Sequence, residues 1–250
     1  AVIAYSMRIN CNFVFEYTKE LKIGITRNTF WDNFLTELIC YTTKNGNNSL
    51  ISPYLTTFPN YRENGFHYTM IPIFTNTQFV SFIGYFQSYK YFEDQWDKIK
   101  QLINLPSKRK NIQKEYSSLF KNYYNISMHF RMGDYKEKQQ YHPIMELEYY
   151  EKSLQHIISM INVIKNNPNI QVIYFCEKED NDDVQIIIEQ LSQKYNNIIF
   201  TKADDSVSDW KQLLIMSCCQ SNIIANSSFS WWGAYMNDYE SKFVCYPEKW

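Results

Sequence analysis

Arg131 is the last of only five arginines in a chain that carries twenty lysines. It stands directly after an apolar run, in NISMHFRMGDY (125–135). Where lysine is the default cation, this exception suggests work that lysine cannot do. A guanidinium offers a planar fork of donors that meets two phosphate oxygens at once, whereas an ammonium is a point charge. Gly133, two residues on, lets backbone come close to a ligand. The competing reading makes Arg131 a partner of Asp134 that only holds the turn. His129, inside the run, reads as a core histidine before it reads as a catalyst.

A second polar cluster, NSSFSWWGA (226–234), follows another apolar run, NIIA. Asn226 and Ser227 turn the chain there, and Ser228 opens a helix. Serine and asparagine cap helices well, and the free amides of a first turn, aided by the helix dipole, attract anions. If both apolar runs are strands of one parallel sheet, Arg131 and Ser228 face one crevice outside the strands' carboxyl ends. Hydroxyls, amides and a guanidinium would then surround a diphosphate. Phe229 is placed to stack on a base or ribose, while Trp231 and Trp232 are expected to pack the helix against the sheet. A third stretch, YHPIMELEYYEKSL (141–154), sets His142 and Pro143 ahead of a helix whose first turn holds Glu146 and Glu148. Tyr149 and Tyr150 are expected to bury their rings, and His142 to shape the approach to that helix.

These groups need elements to hold them. Runs at 125–130, 170–176, 197–200, 222–225 and 242–246 read as strands, and Leu147–Lys165, Val184–Tyr195, Asp209–Cys219 and Ser228–Asn237 as helices between them. That alternation predicts an α/β domain over 122–250, a doubly wound parallel sheet with right-handed crossovers. Residues 1–121 are less regular: a helix-like start, a strand CNFVFEY, a helix over Thr29–Thr42, an Asn- and Gly-rich loop, and a polar stretch 108–121 that is either a linker or a helix into the second domain.

Composition narrows the function. With 45% hydrophobic residues, 20% charged and a formal net charge of -1, the chain can bury a core but projects no long-range field for nucleic acid, and no basic stripe interleaved with aromatics appears. No apolar run approaches the roughly 20 residues needed to span a bilayer, and the start lacks a signal-peptide layout. The six cysteines form no C-x-x-C pair and read as buried, reduced thiols. No His, Cys and carboxylate cluster has metal-ligand spacing, so no metal is expected. Sequons at Asn47, Asn125 and Asn226 matter only if the chain is secreted.

HFRMGDY, YHPIMELEYYEKSL, IMSCCQSNIIANSSFSWWGAYMN and the closing KFVCYPEKW together resemble the alpha-1,2-fucosyltransferases of glycosyltransferase family eleven. These show an H-x-R-x-G-D-Y motif, a Y-H-P segment before a helix with Y-Y, an N-S-S/T-F-S-W-W-G-A motif and a final P-x-x-W. The resemblance covers 120–250 well and residues 1–17 moderately. It implies a GT-B-like fold of two Rossmann-like domains, with 1–121 on the acceptor side and 122–250 binding the nucleotide sugar. It also implies inverting, metal-independent transfer of L-fucose from GDP-fucose to the 2-hydroxyl of a terminal galactose-type glycan. By position, Arg131 would hold the donor diphosphate and Asn226, Ser227, Ser228, Phe229 and Ser230 would line its pocket. Asp134 or His129 would orient groups there, and Asp134 is the candidate base for the acceptor hydroxyl. Two departures stand out. Met132 replaces the family's second arginine, and FCEKEDNDD replaces a serine followed by two aspartates, a role Asp182 or Asp183 would fill. The family's first strand and G-G-L-G-N-Q-L-F-Q loop precede the helix that resembles residues 1–10. The expectation is that they lie upstream of this sequence. On the alternative, a truncated donor pocket, the chain would bind a sugar nucleotide or glycan without turnover. A different deoxysugar donor or another acceptor is the nearer rival.

Overall fold

In YNISMHFR the side chains alternate in character, and a strand sends alternate side chains to opposite faces. Tyr124, Ile126, Met128 and Phe130 make an apolar row, and Asn125, Ser127, His129 and Arg131 a polar one, with every member 9% exposed or less. A strand buried on both faces belongs in the middle of a covered parallel sheet. The computed structural model, which describes residues 1–22, 26–75, 77–164 and 168–249, places it there. β1 (Tyr124–His129) is flanked by β2 (Ile170–Phe175) and β4 (Ser221–Ile223), with β3 (Ile199–Lys202) and β5 (Val244–Cys245) outside them. The order is β3-β2-β1-β4-β5, every neighbouring pair parallel. The expected doubly wound sheet is present, and its chain order reverses between β1 and β4.

Each row of β1 has its own helical cover. Against the apolar row pack Tyr150, Leu154, Ile157 and Ile161 of α1 (Leu147–Ile164) and Val184, Ile188 and Leu191 of α2 (Asn181–Lys194). Each such aliphatic side chain contributes about 2 kcal/mol by leaving water. On the other face lie α3 (Asp209–Cys218) and α4 (Ser228–Tyr235). There Ser127 of the polar row joins a buried hydrogen-bond network, as buried polar groups generally do. The Asn222 amide donates to Ser127 Oγ at 2.7 Å and to the Met216 carbonyl at 2.9 Å, while Asn237 donates to Asn222 Oδ1 at 2.8 Å and the Cys219 carbonyl at 2.9 Å.

Over 122–250 the strands and helices fall within a few residues of their expected bounds; Lys165, the expected end of α1, and Trp250 of the closing motif lie outside the described residues. Two expectations for side-chain burial need correction. The face that α4 buries is made of Ser230, Gly233 and Ala234, not the tryptophans, which are only half-buried. Helix α4 comes so close to α3 that a Cβ on Gly233 would sit 2.9 Å from Met216 Cβ, and an indole has no room in such a contact. Trp231 stacks on Tyr235 instead, with ring centroids 4.8 Å apart. The cysteines are all free, yet only Cys218 and Cys219 are buried; Cys11 and Cys40 are exposed, because their flanks do not form core elements.

The chain divides into two compact units, Ala1–Ser107 and Lys108–Trp250. The polar stretch from 108 is helical, within Leu105–Glu115 and Ser117–Phe120, and belongs to the second unit, where Arg109 donates to the Ser217 carbonyl at 2.8 Å and pairs with Asp238. In the first unit the helix-like start is a helix, Val2–Ile9. CNFVFEY contributes one isolated bridge, Phe15 to Thr42, in place of a strand, and Thr29–Thr42 holds only a 3-10 turn, Thr36–Tyr41. Aromatic contacts organise both: Phe13 stacks on Tyr41 at 4.7 Å and Phe15 meets Trp31 at 5.3 Å. Among the described residues this unit pairs Glu20–Leu21 with Arg27–Asn28 and Asn60–Arg62 with Ser81–Ile83. No described helix is long and apolar enough to cross a membrane.

Candidate functional site

Parallel strands leave their carboxyl ends side by side, and a crevice opens where the chain order reverses. The last register pair between β1 and β4 is Met128 with Ile223. Arg131 and Asn226 each lie three residues beyond it, so the two clusters singled out from the sequence meet at the switch point of the sheet.

Arg131 is 9% exposed and engaged on both sides. One amino group of its guanidinium pairs with Asp134 and the other with Glu177, while the Tyr135 ring lies 5.1 Å from its central carbon. The pairing reading is met, since Arg131 holds Asp134, and the residue stands at the carboxyl end of β1. Met132 is buried. Asp134 Oδ1 is held by Arg131, and its Oδ2 lies 3.9 Å from Lys138 Nζ. Gly133, at φ +28°, donates its N–H to Asp180 Oδ2 at 2.7 Å. Lys136 bridges Asp180 and Asp183 at 2.9 and 2.7 Å, and these carboxylates raise its pKa.

His129 is buried under this ring of charge. Burial, with Arg131 adding to it, pushes its pKa down to about 3, so the imidazole is neutral. Its Nδ1 has no partner, and the Phe229 ring of α4 lies 5.7 Å away. A neutral imidazole can orient a ligand by hydrogen bonding; it lacks the second ring proton that would make it an acid at ordinary pH.

On the opposite lip Asn226 is buried, donates to the Pro143 carbonyl at 2.8 Å and leaves Oδ1 without a partner. Tyr135 reaches across to donate to the Asn226 carbonyl at 3.1 Å and stacks on His142 at 4.7 Å. His142 thus belongs to the wall of the crevice as well as to the approach to α1. Ser227 occupies the cap position of α4 without a side-chain cap bond, and Ser228 is exposed. The first-turn amides and the Ser228 hydroxyl can therefore meet an anion. Ser230 is turned inward, 1% exposed and within 3.3 to 3.5 Å of the Ser227 and Ala225 carbonyls; its hydroxyl braces the loop from inside.

Tyr149 and Tyr150 do more than fill space. Tyr149 donates to the carbonyls of Ile224 at 2.6 Å and Cys245 at 3.2 Å, and Tyr150 to that of His129 at 3.1 Å. Sequence reasoning missed Glu177 and Asp180 and favoured Asp182 or Asp183. Asp183 does reach Lys136, but Asp182 is exposed with no role at the crevice. The available signal was position: Glu177 is the second residue past β2, the neighbour of β1, so topology alone brings it to the same edge. Among the described residues no three His, Cys, Asp or Glu side chains form a group that could hold a metal ion.

The chain is 30% identical over 188 residues to an alpha-1,2-colitosyltransferase of Escherichia coli, a match covering 68% of this chain and 56% of that protein. It is 30% identical over 127 residues to the O-antigen biosynthesis glycosyltransferase WbnK of Escherichia coli, covering 50% and 38%. The chain thus spans about half the length of the curated relatives it matches. Among solved structures, an ADP-heptose lps heptosyltransferase II of E. coli gives a TM-score of 0.38 at 10% identity, over 57% of this chain and 46% of that one. The fucosyltransferase NodZ of Bradyrhizobium gives 0.37 at 12%, over 62% and 50%. The family model for glycosyl transferase family 11 matches residues 54–248, a span that takes in both lips of the crevice, and the chain belongs to that family.

Proposed function

We propose that the protein of which this chain is part transfers L-fucose, or a closely related deoxyhexose, from a GDP-sugar to the 2-hydroxyl of a galactose-type acceptor, within a two-domain GT-B arrangement. The observation that carries the reading is the meeting of Arg131 with the Asn226–Ser228 turn at the switch point of a parallel sheet, in a chain of glycosyl transferase family 11. In the step proposed, the acceptor oxygen attacks the anomeric carbon as the sugar–phosphate bond breaks, and the electron pair leaves with GDP. The configuration inverts. Arg131 and the first-turn amides of α4 balance the charge that grows on the leaving phosphate, the work a metal ion does in other transferases. Asn226 Oδ1 and His129 Nδ1 are buried polar atoms free to bond a ligand, Phe229 offers a ring face, and the acceptor proton passes to Asp134 Oδ2.

The identity of the donor sugar has a second reading with support of its own. A relative at 30% identity is named for colitose, not fucose, which supports colitose as the alternative donor sugar. The test is transfer followed by mass spectrometry, with the full-length protein, GDP-fucose, GDP-colitose and a panel of β-galactosides. A gain of one deoxyhexose on the 2-hydroxyl supports the fucosyl reading, and a dideoxyhexose gain from GDP-colitose alone supports the other. GDP binding without transfer of either would leave a binding protein.

A further inference from the structure

Resting on the reading that Arg131 binds the donor diphosphate, we propose that Glu177 is a built-in competitor for that site, a carboxylate that occupies the guanidinium until a nucleoside diphosphate displaces it. The two acidic partners of Arg131 differ in kind. Asp134 sits three residues away on the same turn with its side chain 23% exposed, while Glu177 comes from the loop after β2 and is 47% exposed. Withdrawing Asp134 would strip a partly buried carboxylate from its local partner. Glu177 can swing into water at little desolvation cost, since exposed ion pairs contribute little.

The geometry makes occupancy exclusive. Only a tenth of the Arg131 side chain is exposed, and Glu177 covers one of its two amino groups. Its second oxygen lies 3.0 Å from where a Cβ on residue 133 would be, so any side chain there would crowd the carboxylate. Two carboxylates share the one guanidinium, and the nearest further cation, Lys138, stands 3.9 Å from Asp134 Oδ2. Lys136 offers no relief, being held by Asp180 and Asp183. A diphosphate cannot share the fork with Glu177; it must replace it. The apparent affinity for diphosphate is then the intrinsic affinity reduced by the fraction of molecules in which Glu177 has already left.

The test is calorimetric titration of GDP, inorganic pyrophosphate and guanosine into the full-length protein as wild type, Glu177→Gln, Glu177→Ala and Arg131→Lys, each checked by thermal unfolding. Both Glu177 variants should bind GDP and pyrophosphate about 2- to 5-fold more tightly, with guanosine unchanged, because the competition concerns phosphate alone. Arg131→Lys should weaken both phosphate ligands. If Arg131→Lys weakens them but the Glu177 variants bind equally or less tightly, Glu177 supports the site and the competitor role is overturned while the diphosphate role of Arg131 stands. If Arg131→Lys leaves pyrophosphate and GDP unchanged, the diphosphate role itself is overturned, and the competitor role with it.

Discussion

His129 gives a prediction whose size follows from its burial. Its folded-state pKa is about 3, lowered first by burial and then by Arg131, against about 6.5 for a histidine in an unfolded chain. Between those values the unfolded chain binds a proton that the folded chain refuses. Stability therefore falls as pH drops below 6.5, by about 1.4 kcal/mol per pH unit, and stops falling near pH 3. From pH 7 to pH 5 the contribution is about 2 kcal/mol. Carboxylates titrate in part of the same range, so the measurement is a difference. Urea unfolding followed by tryptophan fluorescence, at pH 7 and pH 5, should show His129→Asn losing about 2 kcal/mol less than wild type. Equal losses in the two proteins would mean that His129 is charged or solvated in the folded state, and the neutral, ligand-orienting imidazole would have to be abandoned.

Ser228→Ala should raise the Kd for GDP several-fold, with thermal stability almost unchanged because the side chain is exposed and forms no cap bond; an unaltered Kd would leave this serine no part in binding. Gly233→Val should cost about 1 to 3 kcal/mol, since the new Cβ meets Met216 at 2.9 Å, and should lower Tm by several degrees; a wild-type melting curve would show that α3 and α4 are not so closely packed. Deoxysugar transfer should survive a chelator. Activity lost in EDTA and restored by manganese would reassign the neutralisation of leaving-group charge from Arg131 to a metal.

The second unit was legible because its strands are apolar runs punctuated by helical periods, and because a sheet of that order leaves no choice about where strand ends meet. Arg131 could be found as a rare residue type at a strand end, and Ser228 as a helix start after another. Glu177 was harder, since an acidic stretch, EKEDNDD, gives no sign of which carboxylate points back to the sheet. The tryptophans misled for a physical reason: large rings suggest burial, but the closeness of two helices is set by their smallest residues, here Gly233. The first unit was hardest to read. Phe13, Phe15, Trp31 and Tyr41 look like strand residues by type, yet they contact one another ring to ring, and such clusters have no sequence period.

Two adjacent tyrosines tie α1 to the ends of three neighbouring strands: Tyr150 to β1 through His129, and Tyr149 to the exits of β4 and β5 through Ile224 and Cys245. A splint of this kind fixes the distance between the lips of the crevice in the folded chain itself. The entropy of aligning Arg131 with the Asn226 turn is then lost once, during folding, and is not lost again when a ligand binds. Phenylalanine at either position would keep the ring and remove the latch, so the two hydroxyls separate rigidity from packing at a site where the two usually come together.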